Sequence, residues 1–490
     1  MSNLHLEDWA ASAATARQRL ADDLHRPHYH VTAPSGWLND PNGLIYWQGQ
    51  YHLFYQHNPH KAAWGPPHWG HIVSDNLVTW QDCPVALTPD MMPSEAGGCW
   101  SGCMVDDNGT PTIVYTGVAD HSQGEQQTCL AFGSNDLVSW HKHPQNPVVK
   151  RPDGLSITQN AYRDPFVWRE GDIWYQVIGT SIAERGQALL YSSPDLVSWT
   201  HLNLLVPEDI RDTWQDEGHT WECPNFFALG NKHVLIVSLS GVCLQYPVAF
   251  VGEYRDQQFY PETMQRLDWG YHCFYAPLTM KDGNRQDDYG RRLMWGWLQE
   301  QRSEAKQLVA GWSGVMSLPR VLTLENNKLI SQPADELKAL RGEHYCYENI
   351  ELTDGLRDLE LTGSALELHL TLRFGKAKEV GLVLALDANH HDGLYLIYNR
   401  EQAKLRLETS NAQQEKGMWS APYECPLELD DTLELHVFLD GSTVEVFAYG
   451  HSLTSRVYPD SGSQGVALYA DGEAYLERLE AWSLKDIWVA

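Results

Sequence analysis

The 490-residue sequence lacks a long apolar run, a secretory leader pattern and a surplus of cations. No stretch approaches the ~20 apolar residues that span a bilayer, and Glu7 and Asp8 stand where a signal peptide would carry basic and then apolar residues. We therefore expect a cytoplasmic protein. With 35 Lys and Arg against 64 Asp and Glu, the formal net charge is −29. Such a chain repels phosphate backbones and anionic lipids, which argues against nucleic acid and membrane as partners.

Signatures of metal binding and disulfide bonding are also missing. The nine cysteines include no C-x-x-C pair, and their odd number fits no disulfide framework. No D-x-D-x-D-G calcium loop occurs. The spacings of His57, His68, His71 and His219 match no H-E-x-x-H or similar zinc motif. We therefore predict no metal site and interpret these histidines as structural.

Long helical periodicity is absent from about residue 30 to about residue 320. Short runs rich in β-branched and aromatic residues alternate there with Gly and Asn-Gly turns, which is typical of strands. One heptapeptide recurs in this region, as SDNLVTW at 74–80, SNDLVSW at 134–140 and SPDLVSW at 193–199. Its spacing is that of one four-stranded blade with generous loops. The repeat predicts a β-propeller.

Five polar residues recur at roughly the same phase of five successive units: Asp40, Ser101, Asp164, Glu222 and Asp268. Residues at the same position in successive propeller blades lie at the same distance from the axis and at the same height. The innermost strands of the blades meet around that axis. These side chains should therefore converge on a central funnel. Carboxylates at close range raise one another's pKa, so such a cluster lowers the stability of the fold. Its presence therefore indicates a function for these acids. The alternative interpretation is that each acid caps a turn independently.

Convergent carboxylates with aromatic walls are typical of glycoside hydrolysis, which needs a nucleophile or base and a protonated acid. The 20 Trp and 23 Tyr residues are compatible with a carbohydrate ligand, because sugar rings stack on aromatic faces. Two carboxyl groups can perform both chemical steps. We therefore expect a small sugar as substrate and no cofactor.

Motifs along the chain resemble glycoside hydrolase family 32, the β-fructofuranosidases. From about residue 28 to about residue 325 they read WLNDPNG, QHNP, WGPPHWGH, WSGC, YRDP, WECPNFF, LDWGYHCFYAP, WGW and GWSGVMSLPR. The segment STVEVFAYGHSLTSRVYP at 442–459 is similar to the C-terminal module of the family. The resemblance implies an all-β fold, a five-bladed β-propeller followed by a C-terminal β-sandwich.

The resemblance also assigns roles to three acids. Asp40 would be the nucleophile that attacks the anomeric carbon of the fructosyl unit. Glu222 would be the general acid and then the base that activates water, and Asp164 would bind fructose hydroxyls and stabilise the transition state. A retaining mechanism places the first two carboxyl groups ~5–5.5 Å apart. Glu222 then begins the cycle protonated, while hydrogen bonds keep Asp40 ionised.

The remaining predicted site residues bind substrate. Arg163 would hold Glu222 or Asp164 in place, and Asp268 would contact the leaving-group sugar. The hydroxyl binders and the walls of the fructose pocket would be Asn39, Gln56, Ser101, Trp64, Trp100 and Trp297.

Four segments follow from these patterns. We predict an N-terminal helical extension at 1–27, the propeller at 28–332, a linker helix at 333–344 and the β-sandwich at 345–490. Alternating runs such as ALELHLTLRF and TVEVFA indicate the sandwich. We expect it to shield the flank of the propeller, with glycan binding as the alternative.

The predicted activity is hydrolysis of terminal β-D-fructofuranosides such as sucrose through a covalent fructosyl-enzyme intermediate. Sucrose-6-phosphate and short fructans are alternative substrates on the same scaffold. A carboxyl separation of ~6.5–9.5 Å would instead favour an inverting enzyme acting on another glycan. A sugar-binding propeller without turnover is the third alternative. The sequence leaves open the balance of hydrolysis and fructosyl transfer, and also the oligomeric state.

Overall fold

The computed structural model of the chain describes residues 3–90, 94–120, 124–214, 218–241, 245–270, 272–284, 290–409, 423–460 and 462–488. This part of the chain is almost entirely β, as predicted. Its helices are α1 (Asn3–Arg19), α2 (Glu208–Arg211), α3 (Glu304–Ala310) and a 3-10 helix (Asp335–Leu340). Within these ranges, no helix combines the length and apolar character needed to cross a membrane.

Residues 36–333 form five sheets, of which three are four-stranded antiparallel meanders in chain order and the first adds one parallel strand to such a meander. The first sheet contains β1 (Gly36–Trp47), β2 (Gln50–Asn58), β3 (His68–Ser74) and β4 (Gln81–Leu87). The second contains β5 (Gly98–Asp107), β6 (Thr110–Val118), β7 (Gln126–Gly133) and β8 (Trp140–Lys142). The third contains β9 (Ile157–Glu170), β10 (Ile173–Ile182), β11 (Arg185–Ser193) and β12 (Thr200–Leu204). The fourth contains β13 (Thr220–Leu229), β14 (Lys232–Ser240), β15 (Gln245–Arg255) and β16 (Gln258–Arg266).

The fifth sheet is less regular, because the chain leaves it and returns. It contains β17 (Phe274–Lys281), β18 (Arg292–Leu298), β20 (Val315–Met316), β21 (Arg320–Glu325) and β22 (Lys328–Pro333). Between β18 and β20, the short strand β19 (Trp312–Ser313) pairs in parallel with β1 of the first sheet. The first strand of each sheet contacts the first strand of the next sheet, in the order β1, β5, β9, β13 and β17. Strand β17 in turn contacts β1. The five sheets therefore form a closed ring.

The heptapeptide repeat forms the turn between the third and fourth strands of three sheets. Its leucines, Leu77, Leu137 and Leu196, are buried and adopt left-handed φ angles of 67°, 55° and 64°. The side chains of Asn76 and Asp195 accept hydrogen bonds from backbone N–H groups two and three residues later. These Asx-type turns explain why the repeat stands at the same place in each of the three sheets.

Each first strand carries an irregularity in its pairing next to a proline or glycine. Proline is tolerated at such bulges because it has no N–H to give to the ladder, and a bulge re-aims the neighbouring side chain. These residues line one small cavity in the middle of the ring: Pro41, Gly102, Pro165, Pro224 and Pro277. The bulges therefore turn side chains from all five sheets toward a common centre.

The C-terminal part consists of two six-stranded antiparallel sheets. One contains β23 (Arg341–Leu352), β25 (Ala365–Arg373), β30 (Thr432–Asp440), β31 (Thr443–Ala448), β32 (His451–Arg456) and β34 (Ala474–Leu484). The other contains β24 (Gly355–Thr362), β26 (Glu379–Leu386), β27 (Leu394–Asn399), β28 (Lys404–Thr409), β29 (Tyr423–Pro426) and β33 (Gly465–Asp471). Alternate residues of both sheets bury their side chains in one apolar cluster, as in a sandwich.

The connection between the two parts differs from the prediction of a helix at 333–344. It is a 3-10 helix at Asp335–Leu340, and strand β23 begins directly at Arg341. Leu337 and Leu340 are buried and fix this short turn against the core. The alternating sequence that follows pairs with β34, so the sandwich begins earlier than expected.

Candidate active site

Asp40 lies at the bulge of β1, inside a network of three polar side chains. Its Oδ1 accepts a hydrogen bond from Asn39 Nδ2 at 3.1 Å, and its Oδ2 accepts one from Ser101 Oγ at 2.5 Å. Gln56 joins the same network, because its Oε1 accepts from Asn39 Nδ2 at 3.1 Å and its Nε2 donates to Ser101 Oγ. The structure therefore brings together four of the predicted site residues and fixes the direction of the Asp40 carboxyl group.

Burial raises the pKa of Asp40 to about 6. Hydrogen bonds from Ser101 and Asn39 lower this pKa, while the nearby charge of Glu222 raises it further. We expected hydrogen bonds to dominate, but the removal of water from the carboxylate is the larger effect. At pH 7 the group is still mostly ionised, which suits a nucleophile.

Asp164 and Asp40 share a neighbour, Cys223. The Cys223 backbone N–H donates to Asp164 Oδ2 at 2.9 Å, and its Sγ lies 3.5 Å from the same oxygen and 3.7 Å from Asp40 Oδ2. Burial raises the pKa of the Cys223 thiol well above its usual range, so the thiol stays protonated and can donate. The thiol therefore links two carboxylates that come from different sheets.

Burial raises the pKa of Asp164 to about 7. The Arg163 guanidinium opposes this shift, with Nε 3.9 Å from Asp164 Oδ2, whereas Glu222 and Asp40 reinforce it. The backbone N–H of Asp164 donates to Thr116 Oγ1 at 2.8 Å, which holds the residue at a φ of 63°. Asp164 is therefore a carboxyl group that gains or loses its proton near neutral pH.

Glu222 is held by two donors. Its Oε1 accepts from Arg163 Nη2, and its Oε2 accepts from Tyr275 Oη. Burial lowers the pKa of Arg163, but the carboxylates of Glu222 and Asp164 outweigh burial, so the pKa is raised and the side chain stays charged. Arg163 Nη1 also donates to Gln126 Oε1 at 3.2 Å, which orients the guanidinium. Arg163 therefore occupies the predicted position beside both acids.

The three tryptophans predicted as pocket walls lie in one row of rings, and the row includes Trp37, which the prediction did not name. The ring of Trp37 lies 6.3 Å from Trp64 and 5.8 Å from Trp297, and Trp64 lies 5.7 Å from Trp100. Trp37 Nε1 donates to Asn39 Oδ1 at 2.8 Å, which ties this row of rings to the polar network. Trp64 is 42% exposed and therefore offers a face to a ligand.

The structure contradicts the prediction that Asp268 contacts the leaving-group sugar. Asp268 is 0% exposed, and its Oδ2 accepts from Arg320 Nη1 at 2.9 Å and from Thr454 Oγ1 at 2.6 Å. The error arose from the spacing. The bulge of the fifth sheet is Ala276-Pro277, several residues later, and it carries no acid. Asp268 instead belongs to a buried contact with the sandwich.

The bulge prolines show which residues occupy equivalent positions in the first strands of the sheets, whereas the spacing of the acids did not. Two residues before the bulge proline stand Asn39, Arg163, Glu222 and Tyr275, and one residue before it stand Asp40, Asp164, Cys223 and Ala276. Alignment of the x-x-Pro triplets in the sequence would therefore have identified Tyr275 as a site residue. It would also have excluded Asp268.

Comparison with known proteins agrees with this geometry. Residues 30–333 match the family model described as "Glycosyl hydrolases family 32 N-terminal domain", and residues 336–483 match "Glycosyl hydrolases family 32 C terminal". The chain is 33% identical over 499 residues to a sucrose-6-phosphate hydrolase of Zymomonas mobilis subsp. mobilis, covering 96% of this chain and 94% of that protein. It is 33% identical over 482 residues to a raffinose invertase of Escherichia coli, covering 94% and 95%.

A solved structure shows the same likeness over nearly the whole chain. Fructan 1-exohydrolase IIa from Cichorium intybus superposes with a TM-score of 0.83 at 25% identity, covering 95% of this chain and 99% of that one. The resemblance noted in the sequence is thus confirmed at the level of sequence and of fold. The chain belongs to glycoside hydrolase family 32.

Proposed function

We propose that this protein is a retaining β-fructofuranosidase that cleaves terminal β-D-fructofuranosides such as sucrose. One observation carries the proposal. Asp40, Asp164 and Glu222 come from three different sheets, yet they are joined through the Cys223 thiol and the Arg163 guanidinium. The names of its relatives, a raffinose invertase and a fructan exohydrolase among them, support the same class.

In the first step, Asp40 attacks the anomeric carbon of the fructosyl unit. A bond forms between a carboxylate oxygen and that carbon, and the glycosidic bond breaks with its electron pair moving to the leaving oxygen. Ser101 and Asn39 hold the carboxylate by hydrogen bonds, so it need not reorganise before the attack. With a pKa of about 6, Asp40 is both ionised and basic enough to act at neutral pH.

Glu222 protonates the leaving oxygen and then removes a proton from the water that hydrolyses the intermediate. In the structure its two oxygens accept from Arg163 and Tyr275, which is the arrangement expected of the carboxylate that activates water. A hydroxyl group both donates and accepts. Tyr275 can therefore rotate its proton away and accept one from protonated Glu222, which supports the acid role with the same contact.

Asp164 and the neighbouring polar groups bind the sugar. The Asp164 carboxyl group accepts hydrogen bonds from fructose hydroxyls and stabilises the positive charge of the oxocarbenium-like transition state. Gln56, Asn39 and Ser101 offer further donors and acceptors beside Asp40. Trp64 and Trp100 provide faces against which the C–H surface of the ring packs.

We also infer the architecture and location that accompany this activity. The closed ring of sheets supports a five-bladed β-propeller at 28–332, and the two six-stranded sheets support a β-sandwich that now begins at Arg341 rather than at 345. The eight cysteines in the described residues are free thiols, which supports a reducing cytoplasm. Fractionation of cells that express the native chain tests this location.

The function is tested by glucose release from sucrose. We expect turnover by the wild type and a loss of at least about 10⁴-fold in kcat for Asp40→Ala and for Glu222→Gln, because each removes a group that reacts. Asp172→Ala, at an exposed carboxylate on the same ring of sheets, should behave as wild type. Turnover that survives Asp40→Ala would exclude the proposed nucleophile.

The same preparation distinguishes the alternatives. Sucrose-6-phosphate is the second candidate substrate, because it is named for the Zymomonas relative, and comparison of kcat/KM with that for sucrose ranks the two. Proton NMR of the first fructose anomer released separates retention from inversion. If sucrose, sucrose-6-phosphate and short fructans all remain intact, the protein is a sugar-binding propeller and not a hydrolase.

A further inference from the structure

A second cluster of reactive side chains lies outside the acid pocket, on one face of the sandwich. Strand β25 contributes Glu367 and His369, and the adjacent strand β30 contributes His436 directly opposite His369. The two imidazole rings pack with their centroids 3.7 Å apart. Both rings point Nε2 at the same atom, Glu367 Oε1, at 3.1 Å for His369 and 2.9 Å for His436.

These distances suit a metal ion. The three ligand atoms all lie within 4.8 Å of one another, and no other such group of three occurs in the part of the chain that the structure describes. Zinc binds histidine nitrogen at about 2.0–2.1 Å in a tetrahedral arrangement, which places neighbouring ligand atoms about 3.3 Å apart. The observed separations from Glu367 Oε1 differ from that value by only a few tenths of an ångström. The two ring centroids are only 3.7 Å apart, so the imidazoles must splay before both Nε2 atoms can face one ion.

Hydrogen bonding alone accounts poorly for this convergence. Arg341 already donates to both oxygens of Glu367, with Nη2 2.7 Å from Oε1 and Nε 2.8 Å from Oε2. Three donors thus crowd around Oε1, although a carboxylate oxygen has two lone pairs. If an ion binds, the imidazoles use Nε2 lone pairs and no longer compete as donors. Arg341 Nη2 also lies 3.5 Å from His369 Nε2, so Arg341 would orient the carboxylate from directly beside the ion.

The cluster is accessible on one side only. The Glu367 side chain is 2% exposed, whereas those of His369 and His436 are 40% and 22% exposed. Both histidines line a cleft of about 460 Å³ between the sandwich face and the end of strand β22. The cleft leaves room for a water molecule or another ligand in a fourth position. None of the acid-pocket residues lines this cleft.

We propose that Glu367, His369 and His436 bind a divalent transition metal of the zinc class, with the fourth position open to the cleft. Two imidazoles and one carboxylate form a donor set that suits zinc, cobalt and nickel rather than magnesium or calcium. The ion links β25 to β30 at the boundary between the two parts of the chain. This site is independent of the proposed hydrolase activity.

The test is a titration of the untagged, chelator-treated full chain with Co²⁺ at pH 7.5, followed by visible absorption and by calorimetry. We expect one Co²⁺ per chain, an absorption band in the visible range, competition by Zn²⁺, and a rise in Tm when Zn²⁺ is added. His369→Ala and His436→Ala should each weaken binding by about 100-fold or more, since each removes one of three ligands. His390→Ala is the matched control, because His390 bonds a single carboxylate, Asp358, at 3.0 Å.

Circular dichroism and Tm of each variant establish that it is folded. Because His436 is the more buried of the two, His436→Gln provides a second variant of similar size, and it should also lose binding. Absence of Co²⁺ binding by the wild type overturns the proposal. Binding that is unchanged in folded His369→Ala, or lost in His390→Ala, overturns it as well.

Discussion

Two clusters of buried carboxylates in the described part of the molecule differ in how their charges are matched. In the acid pocket, Asp40, Asp164 and Glu222 share one cation, Arg163. The second cluster, here called the interdomain cluster, consists of Asp268, Glu445 and Asp440 with Arg320 and His30. All five of its side chains are 0% exposed.

The protonation of the two clusters differs accordingly. In the pocket, burial raises the pKa of Asp40 to about 6 and that of Asp164 to about 7. In the interdomain cluster, burial also raises the pKa of Glu445, but Arg320 and His30 outweigh it, so the pKa falls below the usual range. The lesson is that burial alone does not set the charge state, because a matched cation reverses its effect. The pocket retains poorly matched acids for chemistry, whereas the interdomain cluster uses matched ones to hold two parts together.

Removal of the matching cation should have the largest effect on stability. Arg320 donates to Asp268 at 2.9 Å and to Glu445 at 2.6 Å. Arg320→Met removes the cation paired with Asp268 and leaves Glu445 with His30 alone, while both carboxylates stay buried. We expect the free energy of unfolding to fall by about 3–5 kcal/mol, measured by urea denaturation at pH 7.

Two further variants sharpen this result. The combination of Arg320→Met with Asp268→Asn and Glu445→Gln should recover much of the loss, because no unpaired charge remains. Arg373→Met removes a half-exposed arginine that pairs with Glu477 at 3.1 Å, and it should cost less than about 1 kcal/mol. A cost for Arg320→Met that equals the cost for Arg373→Met would contradict the assigned role of the interdomain cluster.

Asp268 also shows where prediction from the sequence reaches its limit. Asp40, Asp164 and Glu222 were identifiable because local motifs with a bulge proline accompany them. Asp268 is the same type of residue at a similar spacing, but its partners Arg320 and Thr454 lie 52 and 186 residues later in the chain. Such pairing leaves no local signal. The sequence therefore shows that residue 268 is an acid, but it does not show which partner that acid binds in the fold, and the partner determines its role.

For the fold and for the aromatic wall too, the sequence predicted local features but not contacts between distant segments. Alternation and the heptapeptide repeat predicted strands and turns, because both are set by neighbours in sequence. The parallel pairing of β19 with β1 was not predictable, since Gly36 and Trp312 meet only when the ring closes. Trp37 was missed for a similar reason, because its contacts with Trp64 and Trp297 join distant segments.

Neutralisation of Asp40 in the acid pocket should stabilise the protein, whereas removal of Arg320 from the interdomain cluster should destabilise it. Because the folded-state pKa of Asp40 is about 6, above its ordinary value of 3.8, the folded protein binds this proton more tightly than the unfolded chain does. Stability therefore falls as pH rises between about 4 and about 6, and the full penalty applies above that range. Asp40→Asn should raise the free energy of unfolding by about 3 kcal/mol at pH 8, although it abolishes turnover.

Urea denaturation at two pH values tests this prediction. The gain should be present at pH 8 and should have almost vanished near pH 3, where the wild-type carboxyl group is largely protonated in both states. A loss of stability at pH 8 would mean that the hydrogen bonds from Ser101 and Asn39 outweigh burial after all. The two clusters would then differ less than their geometry indicates.

A substitution at Tyr275 tests how much one hydrogen bond to Glu222 contributes to turnover in the acid pocket. Tyr275→Phe removes the hydroxyl that donates to Glu222 Oε2. We expect kcat to fall by about 10-fold, which corresponds to about 1.4 kcal/mol, a typical value for a hydrogen bond to a charged group. Steady-state kinetics with sucrose at neutral pH measures this loss.

Tyr398→Phe is the matched control, because it removes another buried hydroxyl, which donates to Leu427 O at 2.9 Å in the sandwich, and it should leave kcat unchanged. If Tyr275→Phe keeps the wild-type kcat, the hydrogen bond to Glu222 does not contribute to turnover.

The smallest effect is expected at Cys223, whose thiol lies between two carboxylates. The thiol lowers the pKa of Asp40 by a hydrogen bond, but sulfur is a weak donor and can serve only one carboxylate at a time. Cys223→Ala should therefore lower kcat/KM by about 3-fold and move its acid limb upward by a few tenths of a pH unit. Cys223→Ser keeps an O–H donor and should stay near wild type, as should Cys425→Ala at a buried thiol in the sandwich. If the Ala and Ser variants at 223 behave alike, the thiol only fills space, and the pocket tolerates its unmatched charge without that link.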